Sequence, residues 1–172
     1  PIFEQGWHGL QHEQKHGLRD ALTKLGPVIE FDYVGRNAEV GKPVMMSELQ
    51  RAFDRLMPTI VLTQLHNGAI IDASDIWRLR TRQPDTLFVN WNGDYWPENT
   101  LSVEGIELAR SFHLQTTVNL DTVDKYREIG IQAAYWQIGW EPDGRGWPGS
   151  SEFRHDVVFL GNGYSPTRRG FV

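Results

Sequence analysis

No cysteine occurs among the 172 residues, which excludes a disulfide framework, a zinc knuckle and a thiol nucleophile. No apolar run approaches the ~20 residues that cross a bilayer, and no signal-type apolar segment precedes the first charges, so no transmembrane segment is expected. An excess of positive charge is also missing. Asp and Glu number 22 against 17 Lys and Arg, and a mildly acidic chain is a poor match for phosphate, so no nucleic-acid partner is expected. Low-complexity tracts are absent, and 40% of the residues are hydrophobic, which is ordinary globular composition. What is left is a mixed α/β protein, expected to be cytoplasmic.

The strongest positive signal is alternation. Short apolar runs predict strands at Val28–Phe31, Thr59–Leu65, Thr86–Trp91, His113–Asn119, Ala133–Trp136 and Asp156–Leu160. Their near-continuous apolar character suits strands buried on both faces. Between them, helical spacing predicts helices over Gln11–Leu25, Ser47–Met57, Ser74–Arg82, Ser102–Phe112 and Thr122–Ile129, the last capped by Asp121 and followed by Gly130. Strand–helix alternation at this pitch argues for βαβ units, hence a three-layer α/β/α Rossmann-like domain with a mainly parallel sheet.

The stretch Glu141–Ser151 is rich in Gly, Pro and Ser and reads as a linker. A fresh strand and the start of a helix follow it. The expected organisation is therefore one Rossmann-like domain over residues 1–150 and the truncated beginning of a second over residues 151–172.

Ligands of open parallel sheets bind beyond the carboxyl ends of the strands. Several loops fall there. Asn90-Trp91-Asn92-Gly93-Asp94-Tyr95-Trp96-Pro97 combines rings that can stack on sugar faces with amides and a carboxylate that can bind hydroxyls. Its plain alternative is a turn at Asn92-Gly93-Asp94 with the Trp residues covering the rim of the core. His66-Asn67-Gly68 and Gly6-Trp7-His8-Gly9 are predicted to open onto the same edge, and Asn119 and Asp121 together read as a cap at the end of another strand, with a side chain able to face the ligand. Gly161-Asn162-Gly163-Tyr164-Ser165-Pro166 with Arg168 and Arg169 has the layout of a phosphate-binding turn, although the third glycine of the dinucleotide fingerprint is missing. His12-Glu13-Gln14-Lys15-His16 spells H-E-x-x-H. It lacks a third downstream ligand, so it reads as a coincidence on a polar helix face, and no metal site is expected.

Four passages share a further likeness. Gly26-Pro27-Val28-Ile29-Glu30-Phe31-Asp32-Tyr33, Val89-Asn90-Trp91-Asn92-Gly93-Asp94, Thr117–Asp121 with Tyr126–Gly130, and Asp156–Arg169 occur in the order found in GT-B glycosyltransferases. The chain most resembles the CgeB-like family, the spore-maturation type, and Asp156–Arg169 is its most specific passage. The resemblance implies an acceptor-binding amino-terminal half and a separate carboxy-terminal donor domain. It implies a nucleotide-sugar donor, a hydroxyl acceptor, chemistry that needs no metal, and no cofactor. Asp94 would be the catalytic base and His8 its rival. Gly6, Trp7, His66, Asn67, Trp91, Asn92, Tyr95 and Asn119 would surround the acceptor, while Gly161, Gly163, Ser165, Arg168 and Arg169 would hold the donor phosphates. The competing expectation is a noncatalytic Rossmann or flavodoxin-like ligand-binding or sensor domain. A phospho-receiver is disfavoured, because Leu65-His66 stands where its Asp belongs.

Overall fold

The structure, a computed structural model, describes residues 13–93 and 100–137, with side chains from Leu18 onward. Within them the chain runs α1 (Glu13–Thr23), α2 (Tyr33–Val40), α3 (Lys42–Leu56), β1 (Ile60–Thr63), α4 (Ala73–Arg82), β2 (Leu87–Asn92), α5 (Val103–Arg110), β3 (Leu114–Thr117), α6 (Leu120–Glu128) and β4 (Ala133–Tyr135). The four strands form one parallel sheet in the order β1-β2-β3-β4. Because each crossover advances in the same direction and such crossovers are right-handed, α4, α5 and α6 belong on one face.

The packing agrees. Val61 and Phe88 pair in register and point to the face where Met45, Leu49 and Phe53 of α3, Ile76 and Leu79 of α4, and Leu108 of α5 form the main core. Ala109, Val123, Tyr126, Ile131 and Ala133 continue this layer under α5 and α6. Leu62, Val89 and Trp91 point the other way, and Leu18 and Leu22 of α1 pack against them together with Leu114, Val118 and Trp136. Helices on both faces of a parallel sheet make a three-layer α/β/α, Rossmann-like architecture, as the alternation predicts.

Several elements differ from the sequence expectation. Val28–Phe31 is not a strand: only Phe31 makes an isolated bridge. The next residue, Asp32, starts a helix instead, its Oδ1 accepting the Gly35 amide hydrogen at 3.0 Å. Helix α3 begins at Lys42 rather than Ser47, because Gly41 turns the chain at φ +78° and Pro43 fits the first turn. Between α2 and α3, Arg36 grips Glu48 through Nε and Nη2 at 2.6 Å each and reaches Glu39 at 2.7 Å. Asn119, not Asp121, caps α6. Leu25 lies beyond the end of α1 and is 85% exposed rather than packed. The predicted strand Asp156–Leu160 and the boundary at residues 150/151 lie outside the described residues. Among the described residues no helix is long and apolar enough to cross a membrane.

Candidate functional site at the carboxyl edge of the sheet

Polar residues inside buried strands must find partners, since an unpaired buried group costs about 1–3 kcal/mol. Three such residues stand in one register row: Thr63 pairs with Asn90, and Asn90 with Gln115. Asn90 is the hub. Its Oδ1 accepts from Thr63 Oγ1 at 2.6 Å and from the Leu65 amide at 2.9 Å. Its Nδ2 donates to the Leu65 carbonyl and to Gln115 Oε1, both at 3.0 Å. The side-chain amide thus binds both backbone groups of Leu65, as a neighbouring strand would. Strand β1 stops at Thr63, yet the chain stays fastened to β2 as far as Leu65 and delivers the next residue, His66, to the carboxyl edge.

There His66 meets the end of β2. Its Nδ1 lies 2.9 Å from Asn92 Oδ1, and Gln64 Nε2 lies 3.4 Å from its Nε2. Asn92 is buried and pairs with Thr117 in the last row of the β2–β3 ladder, whereas His66 is half-buried. Asn67 is exposed, and its Oδ1 accepts the Ala69 amide hydrogen at 3.0 Å, forming a tight turn. Asn119, half-buried at the end of β3, spends its Oδ1 on the Thr122 amide at 2.9 Å and the Thr122 hydroxyl at 3.0 Å.

Trp91 is 5% exposed. Its indole packs on Trp136 with ring centroids 6.1 Å apart, and its Nε1 donates to the Trp136 carbonyl at 3.3 Å. It therefore forms part of the core beneath the edge rather than an open stacking surface. Gly93 follows it closely: a Cβ there would come within 2.9 Å of the Trp91 ring. Glycine is what lets the chain leave β2 across the indole.

The edge also carries a charge cluster absent from the sequence expectation. Asp72 and Asp75 make a capping box at the start of α4, each carboxylate accepting the other's amide hydrogen, at 3.1 and 3.2 Å. Lys42, at the start of α3, reaches both carboxylates at 2.7 Å, and Arg78 approaches Asp75 at 3.3 Å. The hydrogen bond from Lys42 holds the Asp72 carboxyl well below the usual range, with a further bond from Ser74. Burial alone would lower the Lys42 ammonium, but the bonds to Asp72 and Asp75 outweigh it and raise the group. Among the described residues, no group of three or more His, Asp or Glu side chains has the arrangement of a metal site.

Of the sequence-derived candidates, the structure brings His66, Asn67, Asn92 and Asn119 to one edge, with Trp91 below. Gly6, Trp7, His8, Asp94, Tyr95, Gly161, Gly163, Ser165, Arg168 and Arg169 lie outside the described residues, as do His12 and the side chain of His16. Sequence reasoning set Asn90 among the hydroxyl-binding amides of a loop, whereas it is buried inside β2, and it missed Gln115, although an amide inside Leu87-Phe88-Val89-Asn90-Trp91 signals a buried partner. It also missed the Lys42 cluster, although Asp72-Ala73-Ser74-Asp75 has capping-box spacing.

Fold and site together define a class: a parallel α/β sheet protein whose polar side chains gather at the carboxyl ends of the strands. No family model, curated protein or solved structure matches the chain.

Proposed function

We propose that this chain forms the acceptor-binding part of a GT-B glycosyltransferase, which moves a sugar from a nucleotide-sugar donor to a hydroxyl acceptor. The observation that carries the reading is the joining of His66, Asn67, Asn92 and Asn119 at the carboxyl edge of a parallel sheet, where this architecture places ligands. Amides and an imidazole offer hydrogen-bond donors and acceptors to hydroxyls, which suits a sugar or polyol. The resemblance of Asp156–Arg169 to the opening of a donor domain supports the same reading. In it, Gly161, Gly163, Ser165, Arg168 and Arg169 receive the diphosphate, and helix dipoles and basic groups stabilise it as it departs.

Transfer to a hydroxyl requires a group that takes its proton as the bond to the anomeric carbon forms. Asp94 follows the β2 edge by two residues and is the first candidate, with His8 as rival. The test is release of nucleoside diphosphate from a panel of nucleotide sugars in the presence of hydroxyl acceptors, using the natural full-length protein. Asp94→Asn lowers turnover by about 10²–10⁴-fold while donor binding survives. Near-normal turnover in that variant together with an inactive His8→Ala would transfer the role to His8. No transfer with any donor and acceptor of the panel would overturn the proposal.

A further inference from the structure

We propose that Arg80 and His113 form an anion site at the amino edge of the sheet, remote from the carboxyl edge described above, and that it takes a phosphate group, free or as a monoester. Arg80, near the end of α4, is half-buried and held on two sides. Its Nη1 donates to the Ser111 carbonyl at the end of α5 at 2.6 Å, and its guanidinium carbon lies 4.4 Å over the Trp77 ring. These contacts leave the Nε–H and Nη2–H groups without an acceptor among the described residues. Arg36 shows what that pair of donors can hold: through the same two nitrogens it grips both oxygens of Glu48 at 2.6 Å each. Arg80 has no such carboxylate. Burial alone acts on its charge and draws its pKa down.

His113 supplies a further donor. Its Nδ1 accepts the Phe88 amide hydrogen at 3.0 Å. A backbone amide only donates, so the neutral ring carries its hydrogen on Nε2. That N–H has no acceptor among the described residues. The ring lies beside Phe88, centroids 6.1 Å apart, on the face of the sheet that α4 and α5 cover. Burial and the charge of Arg80 push its pKa down, and no carboxylate counters them. The charges near the end of α5, Arg110 and Glu107, pair with each other. The edge therefore gathers an open guanidinium fork and an imidazole N–H with no negative partner. A phosphate offers two oxygens to the fork and a third to the imidazole, whereas the fork alone occupies both oxygens of a carboxylate. The site shares no residue with the carboxyl edge, so it does not depend on the function proposed above.

Titration of the ¹⁵N-labelled chain with inorganic phosphate, against sodium chloride at equal ionic strength, reads the site directly at a pH of about 8, where an ordinary imidazole is neutral. Saturable shifts are expected at the Arg80 Nε–H and the His113 ring, whose signals are those lost in Arg80→Gln and His113→Asn. A bound anion stabilises the imidazolium, so saturating phosphate should raise the His113 pKa in the wild type and not in Arg80→Gln. Arg80→Lys keeps a cation for the Ser111 carbonyl but lacks the fork, and should weaken phosphate by about tenfold or more. His113→Asn, whose Oδ1 can replace Nδ1 as acceptor for Phe88, should weaken it less. Glycerol phosphate, run alongside, separates the sources: tighter binding than phosphate assigns the site to a monoester, and equal or weaker binding assigns it to the free ion. Shifts at Arg80 and His113 no larger than those in chloride would overturn the proposal, and so would unchanged affinity in Arg80→Lys.

Discussion

Asn90 shows how much one amide can organise. All four of its hydrogen-bonding positions are used, so a shape-matched apolar residue strands both backbone groups of Leu65 and Gln115 Oε1, and leaves the Thr63 hydroxyl only the Val89 carbonyl at 3.4 Å. Asn90→Leu is expected to cost roughly 3–5 kcal/mol, several unpaired buried groups at ~1–3 kcal/mol each offset by relaxation. Urea unfolding measures it, and a cost below ~1 kcal/mol would contradict the role. A second residue has a pH signature. Tyr126 is buried, its hydroxyl donates to the Thr100 carbonyl at 2.8 Å, and burial pushes its pKa up to about 12. The fold therefore favours the neutral phenol. Its contribution is complete below pH ~10, the unfolded value, and is lost as pH rises toward 12. Tyr126→Phe should cost about 1 kcal/mol at neutral pH and flatten that alkaline decline, read from thermal midpoints between pH 9 and 12. At this scale the sequence was partly legible. The residue types His66, Asn92 and Asn119 pointed to the edge, but no periodicity reveals that Asn90 spends its amide on the backbone of Leu65. That contact depends on a pairing register between segments 25 residues apart.

Elements were legible where their limits are written in local chemistry. Ser102 caps α5, its Oγ accepting from Gly105 at 3.0 Å, and Gly130 follows α6 at φ +79°, both as capping rules predict. The errors came where two signals competed. Val28–Phe31 has strand composition, but Asp32 and Gly35 supply a helix start directly behind it. Likewise, Ser47 offers a plausible cap within a helix that Gly41 and Pro43 have already begun. Asn119 belongs to both local and functional readings, and its cap separates them. Since Oδ1 already receives two hydrogen bonds from Thr122, Asn119→Ala should destabilise the fold by about 1 kcal/mol and Asn119→Asp by much less. Equal stability of the two variants in chemical denaturation would contradict the capping role. Met57 ends α3 in the left-handed region at φ 44°. Because side chains pay roughly 1–2 kcal/mol to enter that region, Met57→Gly is expected to raise the thermal midpoint. A lowered midpoint would show that the strain is offset elsewhere.

Across the molecule, alternation of apolar runs and helical stripes was enough to give a three-layer parallel fold, because buried parallel strands leave a composition that few other arrangements share. The charged contact between α3 and α4 was not legible, since Lys42 and Asp72 lie 30 residues apart. With His113 it sets the acid response. His113 accepts the Phe88 amide hydrogen on Nδ1 at 3.0 Å, and burial, with Arg80 nearby, pushes its pKa down. The unfolded chain then binds this proton more readily, so stability is complete above pH ~6.5 and falls as pH drops below it. Asp72, depressed by Lys42, adds stability that is present above its ordinary pKa of 3.8 and lost below it. Thermal midpoints should fall in two stages on acidification. His113→Gln should remove the upper stage and Lys42→Met should weaken the lower one. The functional account places hydroxyl ligands at the carboxyl edge, and chemical-shift mapping of the ¹⁵N-labelled chain titrated with methyl glycosides tests that most directly. Shifts concentrated on His66, Asn67, Asn92 and Asn119 are predicted, with Ile60, Leu87 and His113 at the amino edge unchanged. Shifts at the amino edge, or none in either place, would contradict it.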